Sequence, residues 1–272
     1  MYPVGVLGRP AVQSTLELRR RQSRPGLASS LALSFEHVSK VFPDGTQAVE
    51  DVTFEVQPRE MVAIVGPSGC GKSTLLRLAS NLTAPTTGEI RIGDGNLGYV
   101  FQDPTLLPWR TVRRNVELLA ELAGVSAAER ARRAAQAILL TGLSGFEKHH
   151  PRALSGGMRM RVSLARALTM RPRIFLFDEP FGALDEITRE RLNTELLGLF
   201  EREGFAGLFV THSVSEAAFM ASRVLVMSPR PGRIVAEIAI PFPYPRAPEL
   251  RFDPRFATVA GQISASLREK LA

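Results

Sequence analysis

The chain has 272 residues, enough for one or two domains with a sizeable core, and its 44% hydrophobic and 22% charged composition excludes a disordered chain or a coiled coil. No run approaches the ~18 consecutive apolar residues of a membrane helix, residues 1–33 carry no signal-peptide pattern, and a single cysteine, Cys70, excludes an internal disulfide, so a soluble, cytoplasmic chain is expected. The formal charge is +7, but residues 1–30 hold Arg9, Arg19, Arg20, Arg21 and Arg24 against Glu17, a net of +4, and no interleaved basic and aromatic pattern marks a nucleic-acid partner.

Residues 1–30 lack periodicity and read as a disordered basic extension. Leu31, Leu33 and Phe35 alternate with small or polar residues as a half-buried strand does, Pro43-Asp44-Gly45 turns the chain, and Val49 to Val56 reads as the next strand. Met61 to Gly66 is a buried strand, followed by a glycine-rich loop and a helix from about Lys72 to Asn81. Short strands are expected at Glu89–Ile92 and Leu97–Phe101. Residues 103–170 read as a mostly helical block, with Val112, Val116, Leu119 and Ala123 on one face, an alanine- and arginine-rich helix at 126–140, and a third helix from Ser155. Strands at Ile174–Asp178, Leu208–Thr211, 224–227 and 233–239 then alternate with helices at Ile187–Arg202 and Val214–Ala221, which implies a parallel α/β sheet. Pro241, Pro243, Pro245 and Pro248 read as a stiff linker, and Asp253-Pro254 opens a terminal helix to about Leu271.

Gly66-Pro67-Ser68-Gly69-Cys70-Gly71-Lys72-Ser73 fits G-x-x-x-x-G-K-[ST] between a strand and a helix. Glycines let successive N–H groups face phosphate oxygens, and the helix N-terminus adds about half a positive charge. Lys72 is expected to reach the β- and γ-phosphates, the Ser73 hydroxyl to bind Mg²⁺, and Thr74 to extend the nucleotide-binding set. Cys70, beside Lys72 and a helix start, is expected to favour its thiolate. Ile174-Phe175-Leu176-Phe177 ends in Asp178 and Glu179: the first suits Mg²⁺, the second a base for the attacking water. Asn-Lys-x-Asp, the mark of guanine specificity, is absent because no Asn precedes a Lys; this favours ATP. Leu154-Ser155-Gly156-Gly157 opens a helix and so makes a second anion-binding terminus, which one ATP does not need. The economical account is that it serves the ATP of another subunit.

That segment, 23 residues before Asp178, resembles the most specific mark of the ATP-binding cassette (ABC) transporter ATPases, and the resemblance spans about residues 33–240. It implies a P-loop NTPase (RecA-like) parallel-sheet core, an antiparallel β subdomain and an inserted helical subdomain at about 103–170, giving an ATPase domain over 31–240 and a C-terminal appendage over 241–272. By the same resemblance Gln102 senses Mg²⁺ and the attacking water, His212 contacts the γ-phosphate, Phe42 stacks on adenine, and Ser155, Gly156, Gly157 and Asp185 act across a head-to-tail homodimer. Gln102 to Trp109, Met158, Phe181 to Asp185, and Ser228 to Arg233 resemble importers of the nitrate, sulfonate and taurine type. That subgroup implies two integral membrane permease subunits, a solute-binding protein, and peripheral attachment at the cytoplasmic face of the inner membrane. Leu106, Leu107, Pro108 and Trp109 are the expected permease-coupling loop. The alternative is a soluble ABC ATPase of DNA repair, translation or cluster assembly. Met160 departs from the glutamine common in the family.

Overall fold

The computed structural model describes residues 31–269; the extension read from residues 1–30 lies outside the described residues, as do residues 270 and 271, to which the terminal helix is expected to run. In chain order its elements are β1 (Leu33–Val41), β2 (Gln47–Val56), β3 (Met61–Val65), α1 (Lys72–Ala79), β4 (Thr87–Ile92), β5 (Asn96–Val100), α2 (Val112–Leu122), α3 (Ala127–Leu140) and α4 (Gly156–Leu168). They continue as β6 (Pro172–Asp178), α5 (Glu186–Glu203), β7 (Ala206–Val210), α6 (Val214–Met220), β8 (Arg223–Met227), β9 (Ile234–Ala239) and α7 (Pro254–Glu269).

Two sheets result. A six-stranded sheet runs β5-β6-β7-β3-β8-β9, parallel except for β9 on β8, and a three-stranded antiparallel sheet runs β2-β1-β4. Every residue of β3 is buried, because both faces of the large sheet are covered. Its alternation divides the core. Met61, Ala63 and Val65 pack with α5, α6 and α7 on one face. Val62 and Ile64 pack with Leu75, Leu76 and Leu78 of α1 and with the small sheet on the other, where Phe35 stacks on Phe54 at 4.6 Å. Phe175, Phe177 and Phe209 are at most 1% exposed, each contributing about 1.5–3 kcal/mol of burial. This gives the α/β nucleotide-binding architecture expected, except that the strand expected at 233–239, β9, pairs antiparallel at the sheet edge.

Helices α2, α3 and α4 form a separate block around Val116, Ile138, Leu143 and Val162. Its starts are capped: the Thr111 hydroxyl accepts from the Arg114 N–H, and Ser126 accepts from Glu129. Helix α4 belongs to both bodies, with Val162 and Ala165 in the helical core and Met160 in the main one. Met160 is therefore a packing residue.

The proline-rich stretch read as a stiff linker is instead docked on the core. Phe242 and Arg246 are buried, and Phe242 packs on Phe256 of α7. The Arg246 guanidinium donates to the carbonyls of Ala218, Phe219 and Ala221, which end α6, and to that of Phe242. A cation at a helix C-terminus satisfies carbonyls that have no partner inside the helix. Proline spacing alone does not reveal this anchor. Arg246→Ala is expected to cost about 1.5–3 kcal/mol of stability, the scale of hydrogen bonds to a charged group, read as a lowered midpoint in urea unfolding. An unchanged midpoint would remove Arg246 from that role.

Candidate active site

The loop Gly66–Gly71 joins the buried end of β3 to α1. Gly71 has φ +109°, and a Cβ there would lie 2.7 Å from the Ala48 carbonyl oxygen, so only glycine fits. The Lys72 side chain lies over the loop. Its Nζ donates to the carbonyls of Gly66 at 2.9 Å and Pro67 at 3.1 Å and stands 3.8 Å from Glu179 Oε1. Next along the helix, Ser73 Oγ donates to Asp178 Oδ1 at 2.8 Å. The other oxygen of Asp178 accepts from the Tyr99 hydroxyl at 3.2 Å. Burial, followed by the Asp178 charge, raises the Tyr99 phenol above its ordinary range, so Tyr99 is a donor.

Glu179 follows β6 with φ +44°, an uncommon conformation for a side-chain-bearing residue. Its N–H donates to Val210 O at 2.9 Å, which fixes the turn against β7. His212, just beyond β7, places Nδ1 3.1 Å from Glu179 Oε2. The ends of β3, β6 and β7 thus bring together Lys72, Ser73, Asp178, Glu179 and His212. Ser73 and Asp178 present a hydroxyl and a carboxylate, hard oxygen donors that fit Mg²⁺, which takes few protein ligands beside phosphates and water.

A cleft of about 220 Å³ opens above the loop, lined among others by Phe42, Ser68, Gly69, Lys72, Ser73, Thr74 and Glu179. Sites that enclose a drug-sized ligand usually measure roughly 300–1,000 Å³. This cleft is smaller than that. Gln102, Ser155, Gly156, Gly157 and Asp185 do not line it. Ser155 is exposed at the start of α4, its hydroxyl accepting from Met158 N–H at 3.3 Å, and Asp185 caps α5 by accepting from Thr188 N–H at 3.0 Å. The two ends are in contact, because a Cβ on Gly156 would meet Leu184 Cδ2 at 2.9 Å.

Arg230 was not legible as a site residue. Its Nε and Nη2 both donate to Gly69 O, at 3.1 and 2.9 Å, and it lines the cleft. Tyr99 was also missed, although it sits three residues before Gln102. Cys70 requires a correction. It is buried, and burial raises its thiol, outweighing the nearby Lys72 charge, so the expected thiolate is not favoured.

The segment after Gln102 is a loop, as the flanking prolines imply. Leu106 is half-buried against the helical block, Leu107 is half-buried, and Pro108 and Trp109 are exposed, Trp109 at 71%. The expected four-residue exposed cluster is therefore narrower. Two buried side chains hold the loop's shape. Asn115 accepts from Leu107 N–H at 2.8 Å and faces the carbonyls of Leu107 and Arg110. Arg166 of α4 donates to the carbonyls of Pro104 and Thr105.

A family profile described as ABC transporter matches residues 49–182. The chain is 43% identical over 205 residues to the taurine import ATP-binding protein TauB of Yersinia pestis, covering 73% of this chain and 80% of that one. It is 42% identical over 234 residues to the nitrate import ATP-binding protein NrtD of Synechocystis, covering 81% and 88%. Among solved structures, the dimeric ATP-binding cassette MJ0796 bound to ADP and Pi superposes with a TM-score of 0.67 at 32% identity, covering 77% of this chain and 99% of that one. The strand-end geometry and these likenesses agree, and the chain belongs to the ABC transporter family as one of its ATP-hydrolysing subunits.

Proposed function

We propose that this subunit powers an importer for a small solute of the nitrate, sulfonate, taurine, bicarbonate or pyrimidine-precursor classes, as a head-to-tail homodimer beneath two membrane permease subunits supplied by a solute-binding protein. The observation that carries the dimer is the half-built cleft. The phosphate loop and Glu179 line it, with Asp178 on Ser73 and His212 on Glu179 just behind, while the exposed Ser155 tip is not part of its lining. The import assignment is supported by relatives named for nitrate and taurine import. No helix among the described residues is long and apolar enough to cross a membrane, which fits peripheral attachment at the cytoplasmic face.

In this reading Phe42 stacks on adenine, and the N–H groups from Ser68 to Thr74, Cys70 included, face the phosphates, while Pro67, which has no N–H, shapes the start of the loop. Lys72 turns from its loop carbonyls to the β- and γ-phosphates. Mg²⁺, held by Ser73 and Asp178 with Gln102 nearby, would neutralise charge on the phosphate oxygens. Glu179 takes a proton from a water as the water oxygen attacks the terminal phosphorus, and the bond from that phosphorus to the bridging oxygen breaks, releasing ADP and phosphate. His212, held through Nδ1 by Glu179, turns its other ring nitrogen to the γ-phosphate. Ser155, Gly156, Gly157 and Asp185 of the second copy close the site. Closure driven by ATP shifts the permease, and hydrolysis reopens the dimer.

The soluble alternative leaves the exposed Trp109 without a purpose, on a loop that two buried polar side chains hold in shape. A shaped loop that presents an exposed aromatic fits a partner surface.

Two outcomes test these assignments. Ser155→Arg is expected to abolish turnover while its own chain still binds ATP, and mixing it with Lys72→Ala is expected to restore part of the activity. A mixed dimer holds both lesions in one site and neither in the other. Verified mixed dimers that never exceed either parent would contradict the trans site. Because Ser155 also caps α4, about 1 kcal/mol of lost stability is expected and is measured separately. Trp109→Ala is expected to leave the ATPase rate of the free subunit near wild type and to cost roughly 2 kcal/mol of permease docking, read as lost co-purification and solute uptake. Full uptake would contradict the coupling role.

A further inference from the structure

Behind His212 lies a buried polar cluster that the chemistry above does not use. Thr211, Asn193 and Glu216 are 1%, 2% and 5% exposed. Thr211 Oγ1 donates to Glu216 Oε2 and accepts from Ser213 N–H at 3.0 Å, while the Ser213 hydroxyl accepts from Glu216 N–H at 3.3 Å. Thr211 N–H donates in turn to Ile64 O at the end of β3. The segment 211–216 is thereby folded around His212, whose ring it leaves facing Glu179.

The far side of the carboxyl points to α5. Asn193 lies close enough to favour the charged form of Glu216, yet Glu216 Oε1 and Asn193 Oδ1 both lack a hydrogen bond of good geometry. Burial dominates and raises the Glu216 carboxyl above its usual range, with Thr211, Asn193 and the charges of Arg189 and His212 opposing it. A proton on the carboxyl would give one of two neighbouring acceptors a donor. Arg189 is the positively charged neighbour on α5, and it also donates to Leu184 O at 2.8 Å and Phe181 O at 3.3 Å. The same helix therefore grips the loop Ala183–Asp185 at its start and meets Glu216 further along.

A buried, incompletely paired carboxyl costs stability that an apolar side chain of like size would not. Retaining it between the His212 loop and α5 has a use if that register matters. We propose that Glu216 is a positioning residue for ATP hydrolysis: bonded to Thr211 and buried beside Asn193, its side chain sets the His212 loop against the helix that Asp185 begins. The inference rests on the role given to His212 in the proposed function.

The test uses the full chain with MgATP, measuring kcat, KM, ATP affinity by calorimetry and the thermal midpoint. Glu216→Ala is expected to lower kcat at least about tenfold with ATP affinity within twofold. Glu216→Gln is expected to recover most of the rate, since its carbonyl accepts from Thr211 and its amide donates to Asn193. Asn193→Ala and Thr211→Val are expected to lower kcat as Glu216→Ala does, and the Glu216→Ala/Asn193→Ala double variant to be no slower than either single one. Should Glu216→Ala fail to fold, Asn193→Ala and Thr211→Val carry the predicted loss of kcat and Glu216→Gln the near-wild-type rate. Unchanged kcat in the folded alanine variants, losses that multiply in the double variant, or rates that merely follow the folded fraction without rescue by glutamine would overturn the inference. His212→Ala in parallel separates the readings. Full turnover there overturns the role of His212 and this inference with it, whereas loss of turnover in His212→Ala beside wild-type rates in Asn193→Ala, Thr211→Val and any folded Glu216→Ala overturns the inference alone.

Discussion

Lys72 is only 5% exposed, its ammonium held by two backbone carbonyls with one carboxylate 3.8 Å away. Removing a cation from water costs several kcal/mol unless it is paired and hydrogen-bonded. Two carbonyls and a distant carboxylate only partly offset that cost, so the loop is built to receive further negative charge. A triphosphate supplies it, and the helix N-terminus behind Lys72 adds to the attraction. The surroundings keep this arrangement rigid. Strand β3 is buried on both faces, α1 is packed between the two sheets, and Gly71 lets the loop lie against Ala48.

From that point the parallel order of β6, β7 and β3 accounts for the other groups. Neighbouring strands end together, so Asp178 at the end of β6, Glu179 just after it and His212 after β7 face the loop after β3. Backbone conformation then aims them, most clearly at Glu179, whose left-handed turn is fixed by Val210. The Ser155 tip and the Asp185 loop are different in kind. They are helix caps that pack on each other, Gly156 against Leu184, and form a second surface outside the cleft. In the proposed head-to-tail pairing, this surface of one copy would close the cleft of a second.

Local signals made much of this legible. The buried runs at Met61–Val65 and Ile174–Phe177, the glycine-rich loop and the acidic pair place the core sheet and the phosphate-facing groups within a few residues of their positions, because a fully buried parallel strand and a helix-starting glycine loop leave unambiguous patterns. Contacts between distant segments were not legible. Tyr99 on Asp178, Arg230 on Gly69 and Arg246 on the end of α6 each join residues more than twenty positions apart, and a single tyrosine or arginine carries no periodic signature. Cys70 shows the limit in the other direction. Its sequence neighbours favour a thiolate, but its burial, set by the whole fold, prevails.

The central claim is that Glu179 drives chemistry in a site completed by a second chain. Glu179→Gln keeps the shape and removes the base, a group worth ~10²–10⁴-fold in rate. Light scattering on this variant with MgATP measures the claim most directly. The account predicts a stable species of doubled mass with ATP, none with ADP, and turnover lowered by at least about a hundredfold. A monomer with ATP bound and normal turnover would contradict it.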